Sequence, residues 1–211
     1  MSVAKADYNA LWKAKSSKSN WREYILPNRT DEQFDAEGKM QAEILNKLHT
    51  KQCTSLEFGC GIGRVLKHID TKKRIGVDVC QEFLDKLPED IIKIKTDGFN
   101  LEGVKPNSVK FIYSLMVFQH ISKDDHLTWL NTLYSLLSNK GTMLLQFPNK
   151  DGGYYNPTGF VNVYTVEELT ELMIKAEIKS FEITQGNLVG YNDGLATENT
   201  APREFFVKIT K

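Results

Sequence analysis

Two acids and a run of glycines are the residues whose types and spacing could do chemistry. The segment Ser55–Ile69, SLEFGCGIGRVLKHI, sets Glu57, Gly59, Cys60, Gly61, Gly63 and Arg64 between an apolar run and a stretch of helical pattern. Glycines this close together let a chain turn tightly and let a ligand touch bare backbone. Their spacing is G-x-G-x-G. A dinucleotide fingerprint would need a glycine at position 64, which is Arg. The next apolar run ends in GVDV, so Asp78 stands at the carboxyl end of a strand beside the first turn. There it either accepts hydrogen bonds from both hydroxyls of a ribose or caps a helix over residues 79–87. A third run ends in KTDGF, where Asp97 either accepts from an adenine amino group or serves the turn before Gly98. His120, in FQHI, is the candidate general base because an unperturbed imidazole titrates near neutrality; the alternative is a histidine that caps a helix or faces the core.

These residues need a frame, and the hydrophobic pattern supplies one. TDEQ reads as a capping box that starts a helix at Thr30, with Phe34, Met40, Ile44, Leu45 and Leu48 on one face. Strands and helices then alternate. TSLEF is a strand and Ile62 to Ile69 a helix; RIGVDV is a strand and CQEFLDKL a short helix; IIKIKT and VKFIYSL are strands. SKDD, opening at Ser122, reads as a second capping box for a helix to about Leu137, GTMLLQF is a strand stopped by Pro148, and TVEE caps a helix through about Ala176. SFEITQ and EFFVKIT close the chain as two strands with only a polar loop between them. Repeated βα alternation predicts an α/β fold, a mostly parallel sheet with helices on both faces, and the last pair predicts an antiparallel finish. Residues 1–30 are irregular by composition, with isolated aromatics, and form an arm that either docks on the protein's own body or closes over a site as a lid; residues 31–211 form the domain.

Composition narrows the function classes. The 211 residues suit one α/β domain with an added arm, and 41% hydrophobic content allows a sizeable core. Lys and Arg total 27, equal to Asp and Glu, so no global basic field draws nucleic acid. Three cysteines without a CxxC pair predict neither a disulfide framework nor a zinc site. The first twenty residues contain no continuous apolar segment, from which no signal peptide, no membrane span and a cytoplasmic location are expected.

The combination LEFGCGIGR…GVDV…KTDGF…FIYSLMVFQHI resembles the class I, Rossmann-like S-adenosylmethionine-dependent methyltransferases, with motifs over roughly residues 30–148 and the remainder matched by element order. The resemblance implies a seven-stranded sheet with strand seven antiparallel between five and six. It implies that Glu57 faces the cofactor's amino group, directly or through water, that Gly59, Cys60, Gly61 and Gly63 form the turn beneath its methionine part, and that Arg64 approaches its carboxylate. Asp78 would bind the ribose hydroxyls and Val79 would lie along the adenine. Asp97 and Gly98 would read the adenine edge, with Phe99 beside the ring. Ser114, Leu115 and Phe118 would follow strand four near the sulfonium end. Phe34 and Gly38, in FDAEGK, belong to a segment that folds over the cofactor in such proteins. Cys60 is implied to be a small packing residue. Related enzymes place a metal-binding acid beside the histidine; here the neighbour is Gln119, and no metal is expected. The Asn/Asp-Pro-Pro-aromatic motif of base-amine methylation and the Pro-Cys of cytosine carbon-5 chemistry are both missing, so DNA-modifying classes are disfavoured.

Three segments can wall an acceptor site: the arm with Trp12, Trp21 and Tyr24; the loop after strand five with Tyr154 and Tyr155; and the loop between strands six and seven with Tyr191. They offer aromatics and amides with little net charge, which suits a small polar methyl acceptor and disfavours a nucleic acid. Two rivals remain open. One is methylation of RNA or a protein side chain, served by Lys13, Lys15, Lys18, Arg22 and Arg29; the other is a non-catalytic S-adenosylmethionine-binding protein.

Overall fold

The computed structural model describes residues 8–20, 22–25, 28–96, 98–152, 161–187 and 202–211. Seven strands form one sheet in the order β3-β2-β1-β4-β5-β7-β6: β1 Thr54–Phe58, β2 Lys73–Asp78, β3 Ile92–Lys95, β4 Val109–Ser114, β5 Leu137–Pro148, β6 Phe181–Gly186 and β7 Glu204–Thr210. β1 to β5 pair in parallel, and β7 runs antiparallel between β5 and β6. The expected sheet and its antiparallel finish are both present. Strand order reverses direction at β1, between β2 and β4. That is the switch point at which open α/β sheets bind ligands beyond their carboxyl ends.

Alternation along the strands sorts the core into two layers. Leu56, Phe58, Ile112, Met143, Leu145, Phe147, Phe205, Val207 and Ile209 face α5 (His126–Leu136) and α6 (Val166–Lys175), meeting Trp129, Leu130, Leu133, Leu169 and Met173. Phe111 and Tyr113 point the other way, to Ala42 and Leu45 of α3 (Asp31–Leu45) and to Leu66, Leu84 and Leu87. Both faces are thus covered, as a parallel sheet requires.

The helices depart from expectation in informative places. The buried face of α3 is Phe34, Gly38, Gln41, Ala42 and Leu45, a strict helical stripe, while Met40 and Ile44 are exposed. Gly38 sets that face, because a Cβ there would lie 2.4 Å from Arg64 O, so the helix approaches where only glycine fits. The helix expected from Ile62 to Ile69 is a run of turns ending in a 3-10 turn, Leu66–His68. Its cause is Gly63, whose φ of 72° lies outside the right-handed helical region. The expected helix from Ser122 opens as a 3-10 turn, Lys123–Asp125, without a side-chain cap. The arm is not irregular: it carries α1 (Tyr8–Ser16) and α2 (Arg22–Ile25). The remaining helix, α4, is one turn, Gln81–Leu84. No helix among the described residues is long and apolar enough to cross a membrane.

Candidate active site

The turn after β1 extends the ladder of β2. Gly59 N and Cys60 N both donate to Val77 O, at 2.8 and 2.9 Å. Gly59, Gly61 and Gly63 have φ of 74°, 53° and 72°, so the alternate spacing of the glycines is the spacing of the left-handed residues. Space differs among them. A Cβ at Gly59 would overlap Val117 at 2.2 Å, which brings the end of β4 against the turn, whereas at Gly61 the nearest atom is Ile25 Cδ1 at 4.0 Å. Gly61 therefore presents bare backbone beneath the arm.

Asp78 braces this turn. Oδ2 accepts from Gly61 N at 2.8 Å and Oδ1 from Cys80 N at 2.9 Å. It does not cap α4, whose N-cap is Cys80. Burial pushes the Asp78 carboxyl up from its ordinary value, and its backbone hydrogen bonds oppose the rise. Glu57 lies on the opposite face of β1 from Phe58, buried, with Oε2 accepting from Tyr113 Oη at 3.0 Å. Burial raises its pKa to about 8 against the opposing hydrogen bond from Tyr113 and the charge of Arg64. At neutral pH this acid is mostly protonated. Cys60 is buried with its thiol pushed well up by desolvation, which fits a packing residue rather than a nucleophile. Cys53 and Cys80 are likewise buried and free.

Arg64 is only 8% exposed. Nη2 donates to Gln41 Oε1 at 2.8 Å, the guanidinium lies 5.4 Å from the Phe34 ring centre, and Nη1 has no partner. Gln41 escaped sequence reasoning, although an amide inside an otherwise apolar helical stripe was the signal available.

Toward β3, Thr96 Oγ1 donates to Gly98 O at 2.6 Å and holds the next turn. Val79 is half-buried, Gly98 is exposed, and Phe99 is exposed with its ring 5.2 Å from Trp129. Beyond β4, Ser114 and Phe118 are committed to the interior: Ser114 Oγ donates to Phe58 O at 2.9 Å, and the Phe118 ring packs against Phe58, His126 and Phe147. Leu115 is buried. Met116 takes φ 60° and its N–H is held by Gln146 Oε1, whose Nε2 in turn donates to buried Glu204. His120 is half-buried at the end of the 3-10 turn Phe118–His120, with Trp12 of α1 edge-on at 5.2 Å.

The segment 118–121 is pinned from beneath by His126, a residue sequence reasoning passed over. His126 Nε2 donates to Phe118 O at 3.1 Å and to Ile121 O at 3.2 Å, and Tyr164 Oη lies 3.4 Å from Nδ1. Burial lowers the His126 pKa to about 4, so the ring is neutral and structural. Across the mouth, α1 is anchored at its far end by Ser16, whose hydroxyl lies 3.3 Å from Glu82 of α4. Trp21, Asp97, Tyr154, Tyr155, Tyr191 and the side chain of Tyr24 lie outside the described residues. Among those described, no three His, Cys, Asp or Glu side chains converge as a metal site would require.

The turn, the acid at the end of β2, the buried arginine and the sheet order converge on one family, and a sequence model of the methyltransferase domain matches residues 20–179. The chain belongs to this family. It is a class I, Rossmann-like methyltransferase that uses S-adenosylmethionine. No curated protein matches the methyltransferase in sequence. Among solved structures, it resembles a possible histamine N-methyltransferase of Thermotoga maritima (16% identity, TM-score 0.65, 90% of this chain and 93% of that one). It also resembles the 1,6-didemethyltoxoflavin-N1-methyltransferase of Burkholderia thailandensis, solved with 1,6-didemethyltoxoflavin and S-adenosylhomocysteine (17%, 0.69, 100% and 92%). A third is phosphoethanolamine N-methyltransferase 2 of Haemonchus contortus, solved with S-adenosyl-L-methionine (13%, 0.71, 99% and 60%). At these identities the likeness is one of fold.

Proposed function

We propose that this methyltransferase moves a methyl group from S-adenosylmethionine to a small polar molecule by in-line displacement at carbon. The observation that carries the reading is Arg64: a guanidinium almost fully buried beside the glycine turn, with one N–H edge unpartnered. A buried, half-paired cation calls for an anion, and the carboxylate of an amino-acid end is its complement. Gly61 keeps the neighbouring backbone bare, and the Asp78 carboxylate stands at the carboxyl end of β2, where a ribose is expected. Glu57, Gly59, Cys60 and Gly63 complete that cradle. Val79, Asp97, Gly98 and Phe99 are assigned to the adenine.

The bound cofactor supplies an already activated methyl group, so the protein's task is alignment and exclusion of water. Ser114, Leu115 and Phe118 fix the floor beyond β4, and the clamp of His126 on Phe118 O and Ile121 O keeps His120 at the mouth. His120 takes a proton if the acceptor arrives protonated.

The size of the acceptor rests on the arm. α1 lies across the carboxyl ends, with Trp12 against His120 and Ser16 against Glu82. Of the five cations that a polymer substrate would call on, Arg22 pairs with Asp31, Arg29 pairs with Glu37, and Lys15 sits over the Trp12 ring at 4.8 Å. With three of these five cations engaged within the chain, the arm suits a small acceptor better than RNA or a protein tail. Those solved relatives whose printed names give a small amine or heterocycle as substrate agree with this.

Calorimetric titration with S-adenosylmethionine and, separately, NADH decides the reading. Wild type is expected to bind the first in the micromolar range and Asp78→Ala to lose about 100-fold or more, which is near 2.7 kcal/mol. NADH binding in its place, or no change on substitution, overturns it.

A further inference from the structure

Arg64 and Glu37 bring opposite charges to one seam, and each keeps an unpaired atom there. The Arg64 side chain crosses α3 at Gly38, where a Cβ would lie 2.7 Å from its Cγ. Gln41 of the same helix accepts from Arg64 Nη2 at 2.8 Å; a guanidinium only donates, so the amide atom facing it is the oxygen. Glu37 stands one turn before Gln41. Its side chain is 14% exposed, and its Oε1 accepts from Arg29 Nε at 2.6 Å. Glu37 Oε2 and Arg64 Nη1 are both sealed from solvent, and neither has a hydrogen-bond partner.

The two charges sense each other without bonding. Burial lowers the Arg64 pKa, and the charges of Glu57 and Glu37 oppose the fall. Glu57 is not the free anion of this seam, because it accepts from Tyr113 Oη at 3.0 Å and is mostly protonated at neutral pH. A guanidinium and a carboxylate so placed normally close into a short pair, and leaving an atom of each unpaired in a place closed to water is costly. What fills the gap must give a hydrogen bond to Oε2 and take one from Nη1. A zwitterionic amino-acid end does both from one carbon: its ammonium donates and its carboxylate accepts.

We propose that Glu37 binds the α-ammonium of S-adenosylmethionine and forms, with Arg64, a two-point clamp on its amino-acid end. This rests on the function proposed above, which gives Arg64 the carboxylate, and adds the acid that reads the amine. Among the described residues, Arg29 is the one bonded to Glu37, so entry of that end requires Arg29 to move aside. Two contacts of opposite charge fix the direction of the methionine chain, which a single contact does not, and so aim the reacting centre at its other end. The clamp also selects. A ligand that lacks either charge leaves one buried group without its partner, and that loss is what makes such a site discriminate.

The test is the calorimetric affinity of the full chain for three ligands: S-adenosylhomocysteine, its analogue without the α-amino group, and its analogue without the α-carboxyl group. Wild type is expected to bind the first about 30-fold or more tightly than either analogue. Glu37→Gln is expected to lose about 30-fold for the two ligands that keep the amine and less than about threefold for the one that lacks it. Arg29→Gln breaks the same ion pair but keeps the Glu37 carboxylate, and is expected to retain the wild-type preference for the amine. Equal losses for all three ligands in Glu37→Gln would make Glu37 a structural residue, and no loss for any would leave a bridging water in the gap; either result overturns the proposal. If Glu37→Gln fails to fold, Glu37→Asp, with its charge on a shorter stem, is expected to weaken the amine-bearing ligands selectively, and a uniform change overturns the proposal in the same way. If wild type binds none of the three, the function proposed above falls and the clamp with it. If wild type binds S-adenosylhomocysteine but Glu37→Gln treats amine and no amine alike, the clamp falls alone.

Discussion

The two halves of the site are built from different materials. On the side of β1 and β2 the proposed binding surface is backbone: three left-handed glycines, two N–H groups on Val77 O, and an aspartate that ties Gly61 to the next strand. On the side of β4, β5 and β7 the surface is held by side chains that reach across turns and between strands: His126 on Phe118 and Ile121, Gln146 between Met116 and Glu204, and Asn162 on Ile121. Backbone shaped by glycine tolerates little change and reads as a motif. A network of side chains can be rebuilt residue by residue, and so it can serve different acceptors.

The halves also answer pH in opposite senses, and the largest expected effects exploit this. The Glu57 carboxyl is raised by burial from 4.5 to about 8, so its folded form holds a proton that the unfolded chain has lost. Its contribution is full below pH 4.5 and declines as pH rises toward 8, by up to about 5 kcal/mol. Glu57→Gln keeps an acceptor for the Tyr113 hydroxyl and removes the titration. Urea unfolding across that window should show a flatter stability profile than wild type, and an unchanged slope would mean that Glu57 is ionised in the folded protein. His126 runs the other way. Its pKa falls from 6.5 to about 4 on burial, so its contribution is full above pH 6.5 and is lost as pH drops toward 4, by roughly 3 kcal/mol. His126→Gln should flatten the acid limb, at the cost of a weaker clamp at every pH. Between pH 4.5 and 6.5 the two slopes oppose each other in wild type, so only the single variants separate them.

A smaller effect tests how tightly the backbone half is built. Alanine at Gly38 gains up to about 1 kcal/mol of helix propensity, but its Cβ would meet Arg64 O at 2.4 Å and Arg64 Cγ at 2.7 Å. Overpacking against backbone costs about 1–3 kcal/mol, so a net loss of about 1–2 kcal/mol is expected. Moving Arg64 should also weaken S-adenosylmethionine binding about tenfold by calorimetry. At Gly98 a Cβ meets nothing within 4 Å, and Gly98→Ala should change stability by less than about 0.5 kcal/mol. If Gly38→Ala is as silent as Gly98→Ala, the close fit of α3 on the turn is not needed.

The same contrast explains what was legible in the sequence. The strands and the first turn could be read because β period and closely spaced glycines are local signals; the order of the strands followed only from the family resemblance. Asp78 could be placed because it ends its strand. The missing helix after the turn could not, because Gly63 looks like any glycine until its φ is known. The clamp residues were not legible either: His126 meets Phe118 and Ile121 across a turn, and Gln146 reaches Glu204 from 58 residues away. A histidine or glutamine in an apolar stretch announces a buried polar group, but not its partner. Even the apolar stripe of α3 was misassigned at Met40 and Ile44, because size suggested burial where geometry gave the place to Gly38, Gln41 and Ala42.

The capping boxes set the finest test, because three similar tetrapeptides came to different ends. In TDEQ and TVEE the threonine oxygen accepts from the residue three on, and that residue's side chain returns to the threonine N–H. In SKDD neither bond forms: Ser122 precedes a 3-10 turn, and α5 begins at His126 without a side-chain cap. The difference lies at Asp125 and its successor His126. An aspartate side chain at Asp125 is one methylene shorter than the Gln33 or Glu168 that reaches back, and the tertiary clamp of His126 fixes where α5 starts. Thr165→Ala should therefore cost about 1 kcal/mol in chemical denaturation, with Thr30→Ala close to it. Ser122→Ala should cost less than about 0.5 kcal/mol. Equal losses at all three sites would mean that SKDD caps in solution after all and that the start of α5 is set locally. The predicted inequality places that start with the side-chain network, in the half of the site that sequence patterns describe least.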